Sequence, residues 1–231
     1  MQVFTASTAE INSGFLNETE SKHCIKVLRK SIGDEINITN GEGELLKCVI
    51  TVAHQKKCEF NVIKNTKTSA ITPPLHIAIA PTKNIDRFEF FLEKCTEIGI
   101  QKITPILCFH SERKVLKTER LEKIIVSACK QSKNYHFPIL NELTPLKDVL
   151  SLDVPQKLIA HCNEEEKVLL KSLAFQKETL LLIGPEGDFS KDEIKLALEN
   201  GFQPISLGES RLRTETAALV ACTTVNLGYE A

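Results

Sequence analysis

No stretch of this chain approaches the roughly 20 apolar residues that a helix needs to cross a bilayer. The N-terminus, Met1 to Glu10, has neither the basic start nor the apolar core of a secretory signal. These absences predict a soluble protein of the cytoplasm with no membrane partner. A metal or disulfide framework is missing as well. Eight cysteines stand at 24, 48, 58, 95, 108, 129, 162 and 222, with no Cys-x-x-Cys pair and no histidine at zinc spacing. Most lie in apolar runs, so they are expected to be small buried hydrophobes in a reducing compartment, and no metal site is expected. An excess of either charge is also lacking. The net charge of −1 excludes a polycation that coats nucleic acid by neutralising phosphates.

What is present is a composition able to bury a core: 42% hydrophobic and 26% charged residues, too apolar for a disordered chain. The cations are unevenly chosen. Lysine outnumbers arginine 23 to 6, so lysine supplies general solubility and arginine is placed sparingly, at 29, 87, 113, 120, 211 and 213. The pair Arg211 and Arg213 stands out, because a guanidinium offers forked contacts to phosphate or carbonyl oxygens. Between Glu112 and Lys133, seven basic residues face three acidic ones, a local excess whose plainest reading is a solvated helix face.

Two patterns succeed each other along the chain. Up to about residue 70 it reads as a small β-rich unit. His23 to Arg29 predicts a short helix closed near Gly33, and Glu35 to Thr39 alternates at period two. Asn40-Gly41 signals a tight hairpin, followed by strands at Leu45 to Val52 and Phe60 to Ile63. Lys64 to Pro74 reads as a linker. Thereafter strands and helices alternate. Strands are expected at Leu75–Ala80, Ile103–Phe109, Lys157–Cys162, Thr179–Ile183 and Pro204–Leu207. The helices between them include one capped by Asp86 and stopped at Gly99, one over Leu121 to Gln131, one opened by a capping box at Ser190 and Glu193, and a last one from Thr214 to Leu227. Alternation of this kind predicts an α/β fold with a mainly parallel sheet covered on both faces.

Ligands of parallel sheets gather at the carboxyl ends of strands. Three such ends carry polar or glycine-rich sequence: Ala160-His161-Cys162-Asn163-Glu164, Gly184-Pro185-Glu186-Gly187-Asp188, and Ser206 to Thr216. The turn at Gly184 is not followed by Gly-Lys-Ser/Thr and is not a GxGxxG fingerprint. Lacking a phosphate cradle, it points away from ATP and NAD and towards a nucleoside ligand without phosphates, of which S-adenosylmethionine is one.

GPEGDFSKDEI (Gly184 to Ile194) followed by SLGESRLRTETAAL (Ser206 to Leu219) resembles the paired C-terminal motifs of the 16S ribosomal RNA (uracil-N3) methyltransferases of the SPOUT superfamily. Shorter matches run in the same order through the chain. They are His23 with Val27-Leu28-Arg29, then Lys83, Arg87, Glu97-Ile98-Gly99, Pro105, Ser111-Glu112-Arg113, and Gln131-Ser132 followed by Pro138. Three positions depart from the family pattern. Asp188 stands where a second glycine is usual, Asn134 where arginine is frequent, and Gln2-Val3-Phe4 lacks the usual N-terminal arginine.

The resemblance implies a PUA-like β-barrel over residues 1–70 that helps hold RNA, and a parallel-sheet SPOUT domain with a trefoil knot over 74–231. It implies methyl transfer from S-adenosylmethionine to N3 of a uridine in 16S ribosomal RNA, within the small subunit, by a homodimer built on the apolar run Ala217 to Cys222. Cofactor contacts carry over to Cys162, Gly184, Pro185, Glu186, Gly187, Leu207, Gly208, Leu212 and Thr214. RNA contacts carry over to His23, Arg29, Lys83, Arg87 and Arg113. Catalysis must stabilise negative charge on the uracil as its N3 proton leaves. Arg213 is the first candidate and Arg211 the second. Glu215 is either a proton acceptor or a carboxylate favouring a helix start. The alternatives are another target, ribose 2′-OH or a different base, and a non-catalytic RNA-binding factor that kept the fold.

Overall fold

The period-two stretch Glu35–Thr39 forms a strand that turns Ile36 and Ile38 inward, each at most 2% exposed. It belongs to the first of two compact units into which the chain divides, residues 1–70 with 129–137, and 71–128 with 138–231. The computed structural model describes residues 2–69, 73–163, 166–175 and 178–229. The domain boundaries expected from sequence are contiguous, whereas these units interleave.

The first unit contains β1 (Val3–Thr5), α1 (Thr8–Ser13), β2 (Phe15–Leu16), α2 (Glu18–Lys22), β3 (Glu35–Thr39), β4 (Glu44–Val52) and β5 (Cys58–Lys67). The order β1-β3-β4-β5-β2 leaves β1 and β2 at the two edges, so the PUA-like sheet is curled into half a barrel. Its core joins Phe4, Leu16, Cys24, Ile38, Leu46 and Phe60. The expected tight hairpin is a four-residue loop in which the Asn40 side chain accepts the N–H groups of Glu42 and Glu44. The expected helix at His23 starts earlier, at Glu18 under an Asn17 cap, and winds as a π-helix over His23–Val27. Arg29, just beyond it, takes a left-handed φ of 54°. β5 runs on to Lys67, so the start of the expected linker is strand, and residues 70–72 lie outside the described residues. Residues 129–137 join this unit through specific bonds. Lys130 pairs with Glu20 at 2.8 Å, and the N–H groups of Gly43 and Phe137 donate to the carbonyls of Tyr135 and Gly41.

The second unit contains β6 (Leu75–Ile79), α3 (Ile85–Ile98), β7 (Lys102–Leu107), most of α4 (Thr118–Ser132), β8 (Ile139–Leu140), β9 (Thr144–Pro145) and α5 (Leu146–Leu150). It continues with β10 (Gln156–Ala160), β11 (Val168–Leu169), β12 (Thr179–Ile183), α6 (Lys191–Glu199), β13 (Gln203–Ser206) and α7 (Thr214–Tyr229). Its sheet follows the order β11-β13-β10-β12-β6-β7-β8, with every recorded pairing parallel. Every residue of β6 and β12 is buried, as expected for central strands covered on both faces. One face packs on α5 and α6 through Leu146, Val149, Ile194 and Ala197. α3 and α7 pack on each other, and α7 also lies against β6 and β12. Asn84, rather than Asp86, caps α3, because its side chain accepts the Asp86 N–H. Seven of the cysteines are buried as expected, and Cys162 is exposed.

The strand order positions the ligand end. β13 lies beyond β10, yet α7, which follows it, packs back on β6 and β12. The intervening segment 207–213 therefore returns towards the sheet centre at its carboxyl end.

Candidate cofactor site

The sharp turn after β12 is the hub of the site. Gly184 is crowded: a Cβ there would come within 3.0 Å of the Phe189 ring, and its carbonyl accepts a hydrogen bond from the Thr214 hydroxyl at 3.1 Å. That bond fastens the start of α7 to the turn. The Glu186 carboxylate accepts the Lys83 N–H at 2.9 Å, tying in the β6–α3 loop. The Arg113 guanidinium secures the same loop by donating to the carbonyls of Thr82 at 3.0 Å and Lys83 at 2.6 Å.

Asp188 makes the third tie. It sits at φ 64°, a left-handed conformation that costs most side chains dearly, is free for glycine and is tolerated by aspartate. This explains why a departure from glycine is accommodated. Its Oδ2 accepts the Cys162 N–H at 2.8 Å, joining the loops after β10 and β12, and its Oδ1 accepts the Phe189 N–H at 2.9 Å. α6 then starts from the expected capping box of Ser190 and Glu193.

The three strand ends enclose an open cavity of about 630 Å³, the size of a small-molecule site. Cys162, Gly184, Pro185, Glu186, Leu207, Gly208, Leu212 and Thr214 all line it, as do Arg211 and Arg213. Gly187 does not; it faces His110, whose Cβ would lie 3.1 Å from an added side chain. A Cβ at Gly208 would meet nothing within 4 Å, which leaves open space beside that loop. Both charge signs line the cavity, with Glu186, Asp188 and Glu209 against Lys167, Arg211 and Arg213. Glu164, at the end of the first loop, lies outside the described residues.

A family model for an RNA methyltransferase domain matches residues 70–226, and one for an RNA methyltransferase PUA domain matches residues 16–63. The chain belongs to this RNA methyltransferase family. A probable rRNA-methyltransferase from Porphyromonas gingivalis has a similar structure, with a TM-score of 0.91 and 39% identity over 98% of this chain and 99% of its own. A Ribosomal RNA small subunit methyltransferase E from Neisseria gonorrhoeae, solved with S-adenosyl methionine, gives 0.84 at 26% identity over 99% and 98%. The Ribosomal RNA small subunit methyltransferase E of Rickettsia conorii is 29% identical over 89% of this chain and 86% of its own length.

Within the methyltransferase domain, the arginines divide sharply. Arg87 lies with its Nε 3.8 Å from Glu215, and Arg120 pairs with Glu89 at 2.6 Å. Arg113 is engaged with backbone, and Lys83 pairs with Glu112 at 2.8 Å. Arg211 and Arg213 are exposed and make no ion pair among the described residues. Glu215 is only 7% exposed and is not part of the cavity lining; its partner is Arg87, and its Oε2 accepts no hydrogen bond among the described residues. In the PUA-like unit, the His23 ring meets Phe4 edge-on at 5.8 Å, and Arg29 is exposed. Asn134 accepts the His136 N–H at 3.0 Å, a local turn bond.

The tie made by Asp188, the cavity-lining Lys167 and the contact of His110 with the turn were missed from sequence. The His110 Nδ1–H donates to the Asp188 carbonyl of that turn at 3.0 Å. No local pattern announces such a contact, because β7 and β12 are brought together only by the sheet.

Proposed function

We propose that the protein transfers the methyl group of S-adenosylmethionine to N3 of a uridine in 16S ribosomal RNA. The observation that carries this reading is the cavity at the ends of β10, β12 and β13, lined by two arginines that make no ion pair among the described residues. Its fit to a phosphate-free nucleoside rests on its volume, the open space beside Gly208, and lining loops that hold no P-loop signature. Charges of both signs suit an amino-acid zwitterion. The Neisseria relative, which binds S-adenosyl methionine, supports the same assignment.

When bound, the cofactor supplies an electrophilic methyl carbon on a sulfonium. N3 would take that methyl group with release of the neutral thioether, and the N3 proton would pass to solvent water. The turn Gly184–Asp188 and the segment Leu207–Leu212 hold the cofactor, while Arg213, helped by Arg211, stabilises the negative charge spreading over O2, N3 and O4. Glu215, engaged with Arg87, serves the start of α7 rather than proton removal. The target edge is the pairing edge of the base, so the uridine must be unpaired when it enters.

The remaining expectations belong to the same proposal. The return of segment 207–213 across the sheet supports the knotted threading. The exposed or half-exposed Leu219, Val220 and Leu227 of α7 support a homodimer contact on the side opposite Ala218, Ala221 and Cys222, which are already buried. A cytoplasmic location belongs to the same proposal; no described helix is long and apolar enough to cross a membrane. Methyl incorporation from S-adenosylmethionine into 16S RNA or small subunits, with metal-free protein and no ATP, tests the reading. Absence of incorporation together with absence of cofactor binding would overturn it.

A further inference from the structure

Phe109 is 78% exposed and Val115 75%, the highest values among the exposed large apolar side chains of the described residues. A single exposed phenylalanine is unremarkable by itself. This one is held out by a rigid turn. The Ser111 N–H donates to the Cys108 carbonyl at 3.1 Å, and the Ser111 hydroxyl accepts the Cys108 N–H at 2.9 Å. Phe109 and His110 therefore occupy the two central positions of a doubly closed turn. The Phe109 N–H donates at 2.7 Å to Glu193 Oε1, the same carboxylate whose Oε2 takes the Ser190 N–H at the start of α6. The His110 ring bonds the Asp188 carbonyl at 3.0 Å and stands edge-on to the Phe109 ring, 5.0 Å between centroids.

The turn is thus braced against the outside of the Gly184–Asp188 loop, whose inner side lines the cofactor cavity. The chain leaving it bears Lys114 and Lys117, both exposed, and Lys123 is exposed on α4. An aromatic face kept open, immobilised beforehand and flanked by cations is the arrangement that binds single-stranded nucleic acid: bases stack on the ring and cations follow the backbone. Because the backbone is already fixed, little ordering entropy opposes binding.

We propose that Phe109 is a stacking platform for an unpaired base of the RNA substrate, one flanking the methylated nucleotide, with Lys114 and Lys117 on the adjoining phosphates. This rests on the RNA methyltransferase reading above and adds to it a specific recognition element. It commits to RNA as the occupant; a second copy of the chain is the competing occupant that the experiment exposes.

The test compares wild type with Phe109→Ala, Phe109→Leu and Phe109→Tyr, using 16S RNA or small subunits as substrate. Cofactor affinity, mass in solution, and kcat and KM for RNA are measured together. Phe109→Ala should raise the RNA KM about 10-fold, the scale of losing one stacked base, with kcat and cofactor affinity unchanged. Phe109→Tyr should restore KM, and Phe109→Leu, apolar but without a π face, should not. An unchanged KM in Phe109→Ala, full rescue by Phe109→Leu, or a fall in oligomer mass would each overturn the proposal. Wild type that methylates normally in those cases leaves the enzymatic reading standing; wild type inert towards RNA would instead remove that reading.

Discussion

The turn Gly184–Asp188 and the segment Leu207–Arg213 line the same cavity, yet they are built on opposite principles. The turn is fastened at Gly184, Glu186 and Asp188. Its backbone or side chains bond Thr214, Lys83, Cys162 and His110, and Arg113 secures the loop it holds. The segment is exposed at Glu209, Ser210, Arg211 and Arg213, and its two guanidiniums have no carboxylate partner among the described residues. An arginine already paired does structural service, whereas one held at a cavity without a partner keeps its charge for a ligand. On the proposed function, the turn supplies binding geometry and the segment supplies charge stabilisation.

The difference is broken most strongly at Arg213. Arg213→Ala should slow single-turnover methylation by about 100-fold or more, the scale of losing one charge-stabilising donor, while folding and cofactor affinity stay near wild type. Unchanged turnover would remove Arg213 from the mechanism, and lost cofactor affinity would make it part of the scaffold.

The sheet's opposite end gives a contrast through pH. His76, near the start of β6, is 2% exposed, and its Nε2 lies 2.7 Å from the Thr104 hydroxyl. Burial, with Lys102 nearby, holds its pKa down to about 4. Below about pH 6.5 the unfolded chain gains this proton and the folded chain does not, so stability falls as pH drops towards 4. The histidine's share of that loss is up to about 3 kcal/mol, levelling off once the folded form also protonates. Urea titrations at pH 7 and pH 4.5 should show a smaller acid loss in His76→Gln. Identical losses in both proteins would contradict the assignment.

Asp188 sharpens the role of the turn. Asp188→Ala keeps the strained φ and removes both side-chain bonds, so a loss of about 1–3 kcal/mol is expected, with weaker cofactor binding by calorimetry. Asp188→Asn, which tolerates the same backbone and still presents an acceptor, should lie between the two. The smallest effect belongs to Glu215→Gln. With its carboxylate turned to Arg87, the methylation rate should stay near wild type, and a pH–rate profile that lost its acid-side limb would instead make Glu215 the proton acceptor.

The parallel sheet and its ligand end were legible because central strands such as Thr179–Ile183 are continuous apolar runs and their exits carry glycine and polar residues. The capping box at Ser190 is a local signal and was read to the residue. The contacts that separate the tied arginines from Arg211 and Arg213 were not legible. Arg113 reaches back to Thr82 and Lys83, and Arg87 to Glu215, across distances in sequence that only the fold closes. Likewise, nothing local joins residues 129–137 to the first unit; the bonds of Tyr135 and Phe137 with the loop 41–43 exist only once the sheet has curled. The short strands β1 and β2 escaped notice because two or three residues are too few to display a period.

The central claim is that Arg213, with Arg211, acts on a uracil whose N3 accepts the methyl group. Nucleoside mass spectrometry of 16S RNA, unmodified beforehand and incubated with the protein and S-adenosylmethionine, addresses it directly. The account predicts 3-methyluridine as the new nucleoside, present with wild type and strongly reduced with Arg213→Ala. A 2′-O-methylated nucleoside, or a methyl group on any other base, would contradict it.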